Sequence, residues 1–145
     1  TSHVLPALIR KFQNAKDNNE NKVVCWSTGK PMREFLYVDD LAEACIFALK
    51  NWDITNDNAP RDKYFQKLSW LNVGSGKEIS IQKLAEMIAN LIGFTGKIEW
   101  DQTKPDGTQR KLLDISKISD LGWFPKISLK DGIRNTINDF KKNII

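Results

Sequence analysis

Gly29-Lys30-Pro31-Met32-Arg33-Glu34-Phe35-Leu36-Tyr37-Val38-Asp39-Asp40 is the stretch on which the reading of this chain turns. Gly29, Lys30 and Pro31 signal a turn. From Arg33 to Val38 the side chains alternate as in a strand: Arg33, Phe35 and Tyr37 on one face, Glu34, Leu36 and Val38 on the other. Asp39 and Asp40 then offer carboxylates to the free amides of a helix start. Asp40 and Glu43 have capping-box spacing, with aspartate in place of the usual hydroxyl residue. The two aspartates read as caps, not as a catalytic pair. Such a strand aims an arginine and two aromatics from one face, which suits a flat ring carrying an anionic group. An ordinary strand with Arg33 in solvent has the same pattern, so both readings stand at this point.

Outward from this stretch, the chain alternates helical and extended periods. Residues 1–16 read as a helix capped by Ser2, with Val4, Leu5, Leu8, Ile9 and Phe12 as its apolar stripe and Pro6 in its first turn. Val23–Trp26 reads as a strand, and the turn at Ser27–Pro31 makes it one arm of a hairpin with Arg33–Val38. A helix over Asp40–Leu49 is expected to turn Leu41, Ala44, Cys45, Ala48 and Leu49 inward. Asn51–Lys67 is a polar surface loop and Ser69–Val73 a buried strand. A helix from Ser80 carries Ile81, Leu84, Ile88 and Leu91 and ends at Gly93. Lys97–Trp100 is a strand, and 101–111 a polar loop. Leu112, Leu113 and Ile115 lead into a short helix ending near Gly122. The last helix has Ser128 and Asp131 as a capping box and Ile133, Ile137, Phe140 and Ile144 as its inner stripe.

The totals fit this picture. A length of 145 residues is that of one domain, 1–145. Hydrophobic residues make up 41% and charged residues 28%, a globular balance. Lys+Arg 22 against Asp+Glu 18 gives +4, a mild preference for anions without the dense basic block of a nucleic-acid binder. Cys25 and Cys45 have neither metal-ligand nor CxxC spacing and read as buried thiols in a reducing compartment. There is no apolar run long enough for a membrane span and no signal-peptide core, so the cytoplasm is the expected location. Mixed short strands and helices argue for an α/β, or mixed α+β-like, domain. The dinucleotide fingerprint is absent. Gly74-Ser75-Gly76 is only G-x-G, and Gly76-Lys77 lacks the upstream glycine of a P-loop, so this segment reads as a strand-to-helix turn.

Pro31-Met32-Arg33-Glu34-Phe35-Leu36-Tyr37-Val38-Asp39-Asp40 resembles the Arg-Glu-Phe-x-x-Val-x-Asp segment of extended short-chain dehydrogenases that act on nucleotide sugars. Pro31-Met32 before that segment narrows the resemblance to the GDP-L-fucose synthase family, and Ser2-His3-Val4, Trp26 and Lys104-Pro105-Asp106-Gly107-Thr108 with Arg110-Lys111 agree; the resemblance corresponds to the C-terminal portion of the family's sequence. It implies a small substrate-binding domain without its Rossmann half. It also implies epimerisation at C3 and C5 of GDP-4-keto-6-deoxy-D-mannose and reduction at C4 by NADPH, in a homodimer. By the same resemblance His3 is the acid in epimerisation and lies near the cofactor. Lys11, Trp26, Arg33, Asp106 and Lys111 contact the GDP-sugar. Lys11 stands where the family has an arginine, which keeps the charge and loses the bidentate fork. Gln109 stands where relatives often have proline. The family's Tyr-x-x-x-Lys pair, its catalytic cysteine and its glycine-rich cofactor turn have no counterpart here. The chain alone is therefore expected to bind GDP weakly and not to turn over. Another nucleotide-sugar epimerase or dehydratase, or a non-catalytic nucleotide-binding module, is the alternative.

Overall fold

The computed structural model describes residues 3–142. Ser2, expected to cap the first helix, and Ile144, expected in the last apolar stripe, lie outside the described residues. The elements in chain order are α1 (Val4–Asp17), β1 (Lys22–Trp26), β2 (Met32–Glu34), α2 (Val38–Asn51), β3 (Glu78–Ser80), α3 (Ile81–Ile92), β4 (Lys97–Asp101), β5 (Arg110–Lys111), α4 (Ser116–Asp120) and α5 (Leu129–Lys142). This is the mixed α/β architecture expected from the sequence. The chain divides into two compact units: residues 1–33, 79–111 and 130–145 in the first, 34–78 and 112–129 in the second.

In the first unit, β1 and β4 pair in parallel over five residues, from Lys22 with Lys97 to Trp26 with Asp101. A second sheet has the order β3-β2-β5, with Met32 beside Arg110 and Arg33 beside Lys111, again parallel. Helices α1 and α3 bury Leu8, Ile9, Phe12, Leu84, Ile88 and Ile92. The Phe12 and Phe94 rings meet at 5.5 Å. Helix α3 is well specified at both ends. Ser80 caps its start by accepting from Lys83 N–H. The carbonyls of Gly29 and Pro31 accept from Gln82 and Ile81 N–H at 2.8 and 3.0 Å, filling further orphan donors of the first turn. At the other end Gly93 takes φ 79°, and Lys16 Nζ donates to Ile92 O at 2.7 Å.

The second unit packs around Ala44, Ile118 and Trp123, flanked by Leu36, Phe47, Leu71, Val73 and Ile115. Two carboxylates fasten its loops. Glu34 Oε1 accepts from Gly76 N–H at 2.6 Å and Oε2 from Leu113 N–H at 2.9 Å. Asp40, 2% exposed, accepts from Lys126 N–H and Ile127 N–H at 3.1 and 2.9 Å.

Five expectations are corrected here. The hairpin is absent: β1 and β2 belong to different sheets, and each finds its partner far along the chain. β2 stops at Glu34, because β5 offers only two residues to pair with, and Val38 already begins a helix behind Tyr37. Phe35 and Tyr37 therefore do not extend the face of Arg33 as strand residues. Asp40 and Glu43 form no capping box, since Asp40 holds the 126–127 backbone and Glu43 pairs with Lys126. The core side of α2 is Asp40, Ala44 and Phe47, so Leu41, Cys45 and Leu49 are exposed and Cys45 is not a buried thiol. Residues 69–73 form no strand; Val73 leads directly into the 74–76 turn that Glu34 holds.

The pinning role of Asp40 is testable. Asp40→Ala leaves two amides without a partner, and urea unfolding should report a loss of roughly 1–3 kcal/mol. Leu84→Ala in the first unit should cost about 2–5 kcal/mol by the cavity it leaves.

Candidate functional site

Every residue assigned to binding or catalysis from the sequence lies in the first unit. Two stretches of that unit, Trp26–Arg33 and Asp101–Lys111, run side by side and are tied along their length. Trp26 is in register with Asp101, and Ser27 N–H donates to Asp101 O at 3.0 Å. Thr28 meets Asp106 next, Met32 N–H donates to Gln109 O at 2.8 Å, and Arg33 closes the run beside Lys111. The turn between β1 and β2 is tight. Ser27 has φ 75° and Gly29 φ 74°, and a Cβ on Gly29 would lie 2.8 Å from the Trp100 ring. Only glycine fits there.

Trp26 ends β1 on its outer face and is 68% exposed. Lys104 Nζ stands 5.9 Å from the centre of its ring, near the outer limit of a cation–π contact. Lys11, exposed on α1, donates from Nζ to Val24 O at 2.6 Å, so its ammonium lies along β1 just before Trp26. The same ammonium pulls the Cys25 thiol down, but burial is the larger influence and pushes it up. Cys25 is thus held as a neutral thiol.

Arg33 and Lys111 share one register of a parallel strand pair, so their side chains leave the same face of the sheet from backbones about 4.8 Å apart. Arg33 Nη1 donates to Met32 O at 2.7 Å. Like charges set side by side cost stability unless an anion lies between them.

Asp106 performs a different task. Thr28 N–H and Oγ1–H donate to its Oδ1 at 2.8 and 2.9 Å, and Oγ1 is 2.9 Å from Oδ2. These bonds hold the carboxyl below the ordinary carboxylate range, the backbone bond being the largest cause. Asp106 clasps the 101–111 loop to the turn after Trp26. Thr28, its partner, was not singled out from the sequence, where a Ser-Thr-Gly turn carries no signal of a partner so far along the chain. His3 occupies the N-cap position of α1, exposed, and its carbonyl accepts from Ala7 N–H at 3.1 Å. Along the helix it is about 12 Å from Lys11.

The Gly74-Ser75-Gly76 turn does not fit a dinucleotide. Its Gly76 amide is taken by Glu34, and a Cβ at Gly74 would stand 2.5 Å from Glu34 Oε1. A carboxylate fills the place where a pyrophosphate would need bare amides. No group of three or more His, Cys, Asp or Glu that could hold a metal occurs among the described residues. Nor is any described helix long and apolar enough to cross a membrane.

Residues 1–60 match the model of the NAD dependent epimerase/dehydratase family. The chain is similar in sequence to GDP-L-fucose synthases. It is 51% identical to GDP-L-fucose synthase 1 of Arabidopsis thaliana over 99% of its own length and 40% of that protein. It is 43% identical to GDP-L-fucose synthase of Escherichia coli over 98% of its length and 43% of that protein. The chain thus spans about two fifths of the curated relatives it matches. Among solved structures, a GDP-L-fucose synthetase from Naegleria fowleri superimposes with a TM-score of 0.81 at 26% identity, covering 99% of this chain and 41% of that one. A GDP-mannoheptose C4 reductase from Campylobacter jejuni with NADP bound gives 0.80 at 35%, covering 99% and 46%.

The Thr28–Asp106 clasp predicts a definite pH dependence. Its carboxyl is depressed in the folded chain, so its contribution is complete at neutral pH and is lost as pH falls through the folded value. In a pH titration by NMR, the Thr28 amide should shift with a midpoint below about 3.9, the value of a free aspartate. Asp106→Asn should abolish that titration.

Proposed function

We propose that residues 1–145 form the GDP-sugar-binding portion of an NADP-dependent epimerase/reductase of the GDP-L-fucose synthase type. The whole enzyme of this reading epimerises GDP-4-keto-6-deoxy-D-mannose at C3 and C5 and reduces C4 to give GDP-L-fucose. The observation that carries it is the Arg33–Lys111 register: two cations placed abreast at one end of the paired stretches, with an exposed indole at the other. A diphosphate relieves the like-charge pair and takes charge-assisted hydrogen bonds from the guanidinium. A purine offers a flat face to Trp26. Lys11 and Lys104 add positive charge around that ring, and Asp106 keeps the loop shaped by holding Thr28.

His3 is the proton donor for epimerisation in this reading, and it neighbours the cofactor. NADPH is the reductant, supported by the NADP bound in the Campylobacter jejuni and Naegleria fowleri structures. In this reading it is held mainly by the part of the relatives that this chain does not span, and hydride transfer is not assigned to any residue here. The parent enzyme is a cytoplasmic homodimer that binds neither membrane nor nucleic acid.

Tryptophan fluorescence tests the nucleotide site directly. GDP should change the emission of the chain saturably, while UDP at equal concentration should not. Arg33→Ala should weaken GDP binding about tenfold or more, the loss of a hydrogen bond to a charged group. Equal response to UDP, or binding unchanged by Arg33→Ala, would count against this assignment. NADPH-dependent turnover by the chain alone would refute the division of labour.

A further inference from the structure

The exposed indole of Trp26 already has a neighbour. Lys104 Nζ stands over its ring at 5.9 Å, a distance at which the cation–π attraction is weak. The ammonium bonds to no acceptor among the described residues. The two carboxylates nearest to it in sequence are engaged elsewhere. Asp106 holds Thr28, and Asp101 Oδ1 accepts from Thr103 N–H and Oγ1–H at 3.0 and 2.6 Å. The backbone under Lys104 is fixed on both sides: its own N–H donates to Asp101 O at 3.3 Å, and the Thr28 clasp follows two residues later. Lys104 is therefore tethered beside Trp26 by its main chain and free at its tip. That tip is a flexible stem ending in three donors and no acceptor.

Flat rings in contact lie about 3.5–4 Å apart. A base lying on Trp26 at that separation comes between the indole and the ammonium, and moves the Lys104 stem to the edge of the base. What the ammonium meets there depends on the base. Guanine presents two acceptors, O6 and N7, whereas adenine presents N7 and the N6 amino group, a donor. We propose that Lys104 selects 6-oxopurines at this site, donating to O6 and N7 of a base stacked on Trp26 and rejecting a 6-amino group. This inference rests on the nucleotide reading given above and adds what that reading leaves to stacking alone. Every base has a flat face, so Trp26 by itself does not tell guanine from adenine. Arg33 and Lys111 stand at the other end of the paired stretches, where the phosphates lie in that reading. The Lys11 ammonium donates to Val24 O on β1. Lys104 is the cation that stands at the indole itself.

The test is a titration of the 145-residue chain with GDP, IDP and ADP, followed by tryptophan fluorescence. GDP and IDP share O6 and N7 and differ only in the 2-amino group, whereas ADP carries its amino group at position 6. The chain should bind GDP and IDP within about threefold of each other and ADP about tenfold more weakly or worse. Lys104 is exposed, so Lys104→Met removes the ammonium and keeps the stem without touching the core. That variant should lose about tenfold for GDP and IDP and stay within about twofold for ADP, so the preference collapses. Lys104→Arg, whose fork also matches O6 and N7, should keep it. An equal loss for all three nucleotides in Lys104→Met overturns the proposal and assigns the ammonium to the phosphates. A preference for GDP over ADP that survives in Lys104→Met overturns it as well, as does a wild-type chain that binds ADP as tightly as GDP. IDP bound as weakly as ADP overturns it too, because the 2-amino group would then carry the selection. Each of these outcomes leaves the nucleotide site standing if Arg33→Ala still weakens GDP. A chain that binds none of the three overturns the nucleotide reading, and this inference with it.

Discussion

The site depends on one constraint: two stretches of backbone that are remote in sequence run alongside one another from Trp26–Asp101 to Arg33–Lys111. Each bond along the run places a different group. Register with β4 sets Trp26 outward, the Asp106 carboxylate closes the loop over Thr28, and the short β2–β5 pairing brings Arg33 beside Lys111. The backbone that carries each of these side chains is placed by a partner far along the chain. Removing the pairing would scatter them even with every residue intact.

In the second unit carboxylates do what strand pairing does in the first. Glu34 and Asp40 lie six residues apart, one ending β2 and one in the first turn of α2, and each accepts two backbone amides from segments far along the chain. Loops that lack a ladder still have to satisfy their donors, and a buried acceptor answers that need. Gly74 is explained by the same arrangement, since Glu34 leaves no room for a side chain there.

Local signals in the sequence were legible where local physics decides. Ser80 and Gly93 bracket α3 as capping rules require, and the stripes of α1 and α3 bury as their spacing implies. The short segments Val23–Trp26 and Lys97–Trp100, read as strands, lie in β1 and β4. Pairing was not legible. Arg33 to Val38 alternates like a longer strand, yet strand length is set by the partner, and β5 is two residues long. Helix α2 is apolar on both sides, so periodicity alone does not tell its core face from its outer stripe. At the site, Arg33, Lys111, Trp26 and Lys11 were all singled out from the resemblance, and the structure adds that the first two share a register. The bonding of Asp106 to Thr28 had no local signature.

The same pairing has a kinetic meaning. The groups it joins stand 77 residues apart for Lys22 and Glu99, and 78 for Thr28 and Asp106. Closing loops of that size carries a large entropic cost that must be met before the contacts reward it, so parallel pairing between such distant strands forms slowly. Arg33 and Lys111 do not sit abreast until that closure is complete. Ligand affinity is then confined to the closed chain, and any ligand of the site draws the folding equilibrium toward it.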